Sequence, residues 1–104
     1  MDVRSLLKVM VDQEASDLYL TVDSAPAYRV HGSTQQTSAP PFTNEQLEAL
    51  ALALMRGQQR GEFEEKMEMN LALYYKELGR FRVNIFRQRG NVGLVFRHIK
   101  AEIQ

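Results

Sequence analysis

The sequence contains no cysteine and carries no net charge, and each absence excludes a class of protein. Without cysteine the chain can form neither a disulfide framework nor a zinc-thiolate site, which fits a reducing compartment such as the cytoplasm. The 13 basic and 13 acidic residues balance, so no overall field of either sign attracts nucleic acid or an anionic membrane. Any electrostatic function must therefore be local.

Long apolar runs are also missing. No stretch approaches the roughly 20 apolar residues that a membrane-spanning helix needs. Residues 1–10 place Asp2, Arg4 and Lys8 inside an apolar pattern, which is unlike a secretory signal peptide. We therefore expect a soluble, unprocessed start and a cytoplasmic location without direct membrane insertion.

Two kinds of functional motif are absent as well. No G-x-x-x-x-G-K-[ST] occurs in the 104 residues, so the chain alone cannot cradle and cleave a nucleoside triphosphate in the P-loop manner. His31 and His98 stand far apart without further ligands at metal-binding spacing, and ordinary surface or sheet histidines are the favoured interpretation. We predict no enzymatic activity for this chain alone, no cofactor bound by it and no metal site.

The residues that are present indicate one domain, 1–104, with a single core of two packed layers. Apolar residues at helical spacing predict a helix over 2–14. Alternating apolar and polar residues then predict two strands, near 17–22 and 28–31. Residues 32–41 have almost no apolar content, so we expect a loop with at most a short edge strand.

The second half begins with a strong helix start signal. Thr43 as the N-cap and Gln46 three residues later form a capping box, and Gly57 suits the C-cap position. A further short helix is predicted over 58–66. After it, apolar residues recur at every second position, which is the period of a strand. Three strands follow, over 67–75, 80–88 and 92–99. This order predicts an α+β fold, an antiparallel sheet with amphipathic helices packed on one face. The predicted core consists of Leu18, Leu20, Val30, Leu50, Leu54, Leu71, Val83, Ile85, Leu94 and Phe96.

The last hairpin is rich in arginine, in the segment GRFRVNIFRQRG at residues 79–90. If its turn is centred on residues 89–90, one face is consistently apolar and Arg82 lies directly opposite Arg97. Like charges opposed in a sheet are unfavourable by roughly 0.2–1 kcal/mol, so the pair needs a compensating anion or another explanation. Two guanidinium groups on adjacent strands can bind phosphate oxygens bidentately. The alternative is that both are solvated or weakly ion-paired, which is the common case. The acidic candidates for such pairs are Asp17, Glu68 and Glu77.

Several segments together resemble one protein family. They are LLKVMVDQEASDLYL, AYRVHG, the capped helix from Thr43, and LGRFRVNIFRQRGNVGLVFRHI. They cover nearly the whole chain and are similar to the N-terminal domain of type IV pilus retraction ATPases, the twitching-motility PilT/PilU family of the secretion ATPase superfamily. The ASDL segment and the hairpin are specific in combination, and the hairpin resembles the PilU side slightly more.

The resemblance implies a regulatory, nucleotide-sensing domain with a PAS-like fold, linked in a longer protein to a RecA-like motor domain. The chain stops at AEIQ, where the family enters its interdomain linker, so the motor domain is expected to be absent from it. The resemblance also implies a homohexamer that uses ATP and Mg and works with the pilus machinery at the cytoplasmic face of the inner membrane. In the superfamily two arginines of this domain reach toward the ATP phosphates. Matching the motif places them at Arg82 and Arg97, with Arg80, Arg87 and Arg89 as secondary candidates.

Two other functions stay open from the residues alone. One is a PAS-type sensor or interaction domain with a small ligand inside the sheet, for which His98 is the one inward polar candidate. The other is a nucleic-acid-binding module in which Phe81 and Phe86 stack on bases beside the arginines. The balanced net charge argues against it, and we expect no nucleic-acid partner. Residues 33–41 lack the apolar residues of the family's third strand, which leaves the strand count open.

Overall fold

The computed structural model describes residues 2–100, which form three helices and six strands. The helices are α1 (Val3–Asp12), α2 (Asn44–Leu54) and α3 (Gly57–Lys66). The strands are β1 (Asp17–Leu20), β2 (Ala27–Val30), β3 (Ser33–Gln36), β4 (Glu68–Tyr75), β5 (Gly79–Gln88) and β6 (Asn91–Ile99). No helix within this range is long and apolar enough to cross a membrane. Met1 and residues 101–104, the AEIQ segment at which the predicted domain ends, lie outside the described residues.

The strands form one sheet in the order β3-β2-β1-β6-β5-β4, and every neighbouring pair is antiparallel. In the middle of the sheet, β1 pairs with β6, so the first strand lies beside the last. The predicted α+β class with an antiparallel sheet is thus confirmed. The segment 33–41 does contribute a strand: β3 is a four-residue edge strand whose side chains are all exposed, and it brings the sheet to six strands within residues 2–100.

The core lies between the helices and one face of the sheet. Alternation along β5 directs Phe81, Val83 and Ile85 toward the helices, and all three are fully buried. The predicted core residues that are fully buried come from β1, β5 and β6: Leu18, Leu20, Val83, Ile85, Leu94 and Phe96. The middle of the sheet therefore packs as the apolar alternation predicts.

The predicted core differs from the structure at its margins. Four of its members are only half-buried: Val30, Leu50, Leu54 and Leu71. Leu71 lies on the edge strand β4, and Val30 lies on β2 beside the edge strand β3. Fewer neighbours cover a side chain at the edges of the sheet. On α2 the fully covered positions are Leu47 and Ala51, one turn apart, and the two predicted leucines flank them. The core also includes buried residues that the prediction omits, among them Leu7, Met10, Tyr28, Met55, Phe63, Phe81 and Val92.

The starts of α1 and α2 follow their capping residues. The backbone N–H of Ser5 donates to Oδ1 of Asp2 at 2.7 Å, as expected of an N-cap, and this bond lowers the pKa of the Asp2 carboxyl. The capping box of α2 is confirmed. The N–H of Gln46 donates to Oγ1 of Thr43 at 3.1 Å, and the N–H of Thr43 donates to Oε1 of Gln46 at 2.9 Å.

The predictions for Gly57 and Met67, the residues at the two ends of α3, are wrong. Gly57 does not end α2 but is the first residue of α3, because Met55 leaves α2 in an extended conformation that needs no left-handed glycine. Met67, which the alternation places on a strand, instead ends α3 in the left-handed region with a φ of 62°. Its side chain is half-exposed rather than in the core, and β4 begins one residue later.

Candidate functional site

The sheet face away from the helices, called the open face from here on, contains the arginine pair. Arg82 of β5 lies directly opposite Arg97 of β6, so the predicted register is confirmed. Since the flanking residues Phe81, Val83 and Phe96 are buried in the core, strand alternation places both arginines on the open face. Both side chains are exposed, that of Arg97 to 68%.

A buried carboxylate lies beside this pair. Asp17 of β1 is opposite Arg97, and Arg29 of β2 is opposite Asp17. Asp17 is only 4% exposed, and it accepts hydrogen bonds from Nε of Arg97 at 3.1 Å and from Oγ of Ser16 at 2.8 Å. One negative charge therefore lies between two cations of the row Arg29–Asp17–Arg97–Arg82, which reduces the cost of opposing like charges.

Within residues 2–100, ion pairing accounts for only one of the two arginines. Of the three acidic candidates, Asp17 alone contacts the pair. The other two, Glu68 and Glu77, bond to Asn84 at 3.0 Å and to Arg4 at 2.8 Å respectively. The Arg82 side chain has no hydrogen-bond or ion-pair partner within residues 2–100, whereas its backbone is paired with β4 and β6. Because Arg97 contacts Asp17 through Nε, the terminal nitrogens of its guanidinium group remain available to a ligand.

A surface cavity of about 660 Å³ adjoins Arg82 on the open face. Its lining includes Ala72, Tyr74, Arg80, Arg82 and Ile99. Tyr74 lies directly opposite Arg80 and is 66% exposed. An exposed aromatic ring beside two guanidinium groups offers both apolar and cationic contacts to a ligand.

Arg87 lies on the helix-facing side and is used within the protein. Its terminal nitrogens donate to both carboxylate oxygens of Glu48, at 2.7 and 3.1 Å, and to Oε1 of Glu64 at 2.8 Å. Its guanidinium carbon lies 5.2 Å from the centroid of the Phe63 ring. The hydrogen bond from Arg87 lowers the pKa of Glu48, and the same bond raises the pKa of Arg87. The structure therefore places Arg87 away from the arginine pair.

The remaining secondary candidates differ in position. Arg80 shares the strand and the face of Arg82. Arg89 lies in the turn between β5 and β6, exposed and with a φ of 54°. A phosphate-binding role for any secondary candidate stays a prediction. Sequence reasoning missed the burial of Asp17, because the contact of Asp17 with Arg97 is made between two strands that are far apart in sequence.

The side chains considered for competing functions are engaged in packing. Phe81, one of the two predicted base-stacking rings, is fully buried, and the Phe86 ring lies so close to Gly93 that an added Cβ would be 2.5 Å from it. His98 stacks on Phe81 with ring centroids 4.9 Å apart, and its Nε2 lies 3.2 Å from the carbonyl oxygen of Leu78. In the part of the chain that the structure describes, no three potential metal ligands cluster together.

Two curated bacterial proteins are similar to the chain over nearly its whole length. The type IV pilus ATPase PilU of Pseudomonas aeruginosa is 38% identical over 103 residues, which are 99% of this chain and 27% of PilU. The type IV pilus retraction ATPase PilT of the same organism is 37% identical over 103 residues, 99% of this chain and 30% of PilT. The chain thus spans less than a third of the length of either relative. No family model matches it.

Solved structures have the same fold. The pilus retraction motor PilT, crystallised with bound ADP, matches the whole chain with a TM-score of 0.89 and 31% identity, over 31% of the PilT chain. The ATPase DotB of Legionella pneumophila matches 94% of this chain and 28% of its own with a TM-score of 0.79, at 16% identity, a likeness in fold alone. The fold is thus that of a domain found in secretion ATPases. In sequence and in fold together, the chain corresponds to the N-terminal domain of the PilT/PilU-type twitching-motility ATPases.

Proposed function

We propose that this chain is the N-terminal regulatory and nucleotide-sensing domain of a pilus retraction ATPase. In that protein a RecA-like motor domain, which these 104 residues do not contain, binds ATP with Mg and hydrolyses it. The observation that carries the proposal is the opposed pair Arg82 and Arg97 on the exposed open face. The ADP bound to the similar PilT motor supports the use of an adenine nucleotide.

The arginine pair suits a role in phosphoryl transfer. The transition state places negative charge on the phosphoryl oxygens, and preorganised cationic donors stabilise it. A guanidinium group can bind two of these oxygens at once, and groups on adjacent strands can approach the same phosphate. Arg82 and Arg97 would act from outside the P-loop, so that movement of this domain relative to the motor domain changes the rate of hydrolysis.

The proposed assembly is the one that the resemblance to pilus retraction ATPases implies. We infer a homohexamer in which the open face meets a motor domain, and in which neighbouring subunits contribute to the ring. Further partners would be the pilus machinery of the inner membrane, with the ATPase at its cytoplasmic face. The supporting observation is that the matching relatives are pilus ATPases of which this chain spans only 27% and 30%.

The test is Arg82→Ala in the ATPase that contains this chain. The Arg82 side chain is exposed and has no hydrogen-bond or ion-pair partner among the described residues, so its removal should leave the fold intact. We expect kcat for ATP hydrolysis to fall by about 10- to 1,000-fold, below the largest arginine-finger effects. Arg82→Lys should restore only part of the loss, because the charge returns without the planar fork. Steady-state hydrolysis by purified hexamers, with the melting temperature measured alongside, checks both variants.

Arg4→Ala is the matched control. Arg4 is a half-exposed arginine of α1 that pairs with Glu77, so this variant removes the same charge from outside the open face. It should hydrolyse ATP at the unmodified rate. Unmodified turnover by Arg82→Ala in assembled hexamers would contradict the proposal. Arg97→Ala is a less direct test, because it also leaves the buried Asp17 carboxylate without its ion-pair partner.

A further inference from the structure

Asp17 is a charged residue almost fully enclosed by the protein, with 4% of its surface exposed. A buried carboxylate is tolerated only when its oxygens are hydrogen-bonded or ion-paired. Oδ2 accepts a hydrogen bond from Oγ of Ser16 at 2.8 Å, and Oδ1 accepts one from Nε of Arg97 at 3.1 Å. From this enclosed carboxylate, Arg97 extends to solvent with 68% of its side chain exposed.

The geometry of this bond decides which atoms of Arg97 are free. Nε is occupied by Asp17, whereas the terminal N–H groups have no protein partner in the part of the chain that is described. A carboxylate fixed at Nε limits the rotation of a long and otherwise flexible side chain. Arg82 has no such restraint. The pair therefore consists of one restrained and one unrestrained arginine.

We propose that Asp17 is a positioning residue, which holds Arg97 so that its terminal nitrogens present an oriented donor to a phosphate group. This inference rests on the proposed function of Arg97 as a phosphate contact. In this role Asp17 acts through Arg97 and does not itself touch the phosphate. An oriented donor stabilises a transition state more effectively than a mobile one, because less side-chain freedom is lost when the transition state forms.

Because Asp17 is negatively charged, replacing it separates an effect on orientation from an effect on charge: the two change the rate of hydrolysis in opposite directions. Asp17→Asn makes the open face more positive by one unit charge, and by Coulomb attraction alone that change favours a triphosphate. If Asp17 acts by orienting Arg97, the same change instead lowers the rate of hydrolysis. Asparagine has nearly the shape of aspartate, so packing stays nearly constant, but its neutral amide oxygen accepts from Nε of Arg97 more weakly than a carboxylate does and so holds the side chain less firmly.

The test is a double-mutant cycle in the ATPase that contains this chain. We expect Asp17→Asn to lower kcat for ATP hydrolysis by about 3- to 30-fold with little change in KM, the signature of an interaction made in the transition state. In an Arg97→Ala background the effect should disappear, because no side chain is left to position. In an Arg82→Ala background it should persist.

Two kinds of failure are distinguishable. An unchanged or faster rate in Asp17→Asn overturns the positioning role. An equal loss with and without the Arg97 side chain also overturns it, because Asp17 would then act only through the stability of the fold. Unmodified hydrolysis by Arg97→Ala would instead overturn the proposed function of the arginine itself.

A second measurement needs no variant and so does not depend on whether Asp17→Asn folds. In the 104-residue chain, ¹⁵N relaxation of the arginine Nε–H groups should give an order parameter above about 0.6 for Arg97 and below about 0.6 for Arg82. Arg97 should be the more rigid side chain because only its Nε has a carboxylate partner. Equal mobility of the two groups overturns the proposal.

Discussion

At the scale of single residues, Tyr28 joins the sheet to the first helix. Its hydroxyl donates a hydrogen bond to the backbone carbonyl of Leu6 at 2.8 Å, and the residue is 2% exposed. Burial raises the pKa of Tyr28 from 10.0 to about 12, because the phenolate would lose its hydration. The folded state thus retains this proton to a higher pH than the unfolded chain. Its contribution to stability is fully present below pH 10 and is lost as the pH rises toward 12.

Tyr28→Phe should lower the free energy of unfolding at neutral pH by about 0.5–1.5 kcal/mol, through the loss of one buried hydrogen bond. It should also weaken the alkaline loss of stability between pH 10 and 12, because the titrating group is gone. Urea unfolding followed by circular dichroism at neutral and alkaline pH measures both effects. The control is Tyr74→Phe, at a position that is 66% exposed, which should leave neutral-pH stability unchanged. Equal stability of the two variants would contradict the role assigned to Tyr28.

The arginine register could be predicted from the sequence, whereas the burial of Asp17 could not. The register depends on alternation and on one hairpin turn, which are local properties of residues 79–99. Asp17 pairs with Arg97 across 80 positions of the chain, through contact between two strands that are far apart in sequence. The ASDL segment contains no local signal for that contact. The sequence therefore predicted the contact within one hairpin, between Arg82 and Arg97, but not the contact between distant strands, from Asp17 to Arg97.

At the scale of elements, Arg87 joins the end of β5 to two helices. It pairs with Glu48 of α2 and Glu64 of α3, and only 17% of its side chain is exposed. Because Arg87 lowers the pKa of Glu48, the folded state binds this proton less tightly than the unfolded chain. The contribution of the pair to stability is therefore present above the ordinary glutamate pKa of 4.5 and is lost as the pH falls through the lowered value.

Arg87→Ala should lower the free energy of unfolding at neutral pH by about 1.5–3 kcal/mol, because charge-assisted hydrogen bonds to Glu48 are lost. The variant should also lose less stability than the unmodified chain on acidification below pH 4.5. Urea unfolding at neutral pH and in mild acid measures both. Arg4→Ala, which removes an exposed bridge to Glu77, should cost at most about 1 kcal/mol. If the two variants lose equal stability, the Arg87 network is no stronger than an exposed ion pair.

The start of α2 could be predicted because Thr43 and Gln46 supply its cap within one turn. The end of α2 could not be predicted, because it depends on how a side chain packs in the core. Met55 is 3% exposed, and the chain leaves the helix at this buried residue, ahead of Gly57. The tertiary contact of one side chain thus outweighs the local preference of glycine for a helix end.

At the scale of the whole molecule, the balanced composition hides an uneven distribution of charge. The sequence has 13 basic and 13 acidic residues, yet the open face groups four arginines of neighbouring strands: Arg29, Arg80, Arg82 and Arg97. Asp17, the carboxylate among them, is buried. Composition could therefore exclude a field over the whole protein, but only strand pairing could locate the cationic surface.

The chain of 104 residues should not hydrolyse ATP by itself, because it contains no P-loop to hold the triphosphate. We expect weak ATP binding at best and a monomer or weak dimer, since the proposed ring depends on contacts with motor domains. Phosphate release compared with a protein-free control measures the activity, and light scattering measures the mass. Turnover that persists through repeated purification would contradict this expectation.

The pairing of β1 with β6 sets the time at which the site can form during synthesis. Asp17 is made early, and its partner Arg97 follows 80 positions later. At about 5–20 residues per second, a ribosome takes about 4–16 s to add that length. Until then Leu18 and Leu20 have no β6 beside them, so a newly made chain exposes an apolar strand for several seconds. The Asp17–Arg97 contact therefore cannot form before β6 is made, and until then the unpaired apolar strand is a site where nascent chains can aggregate.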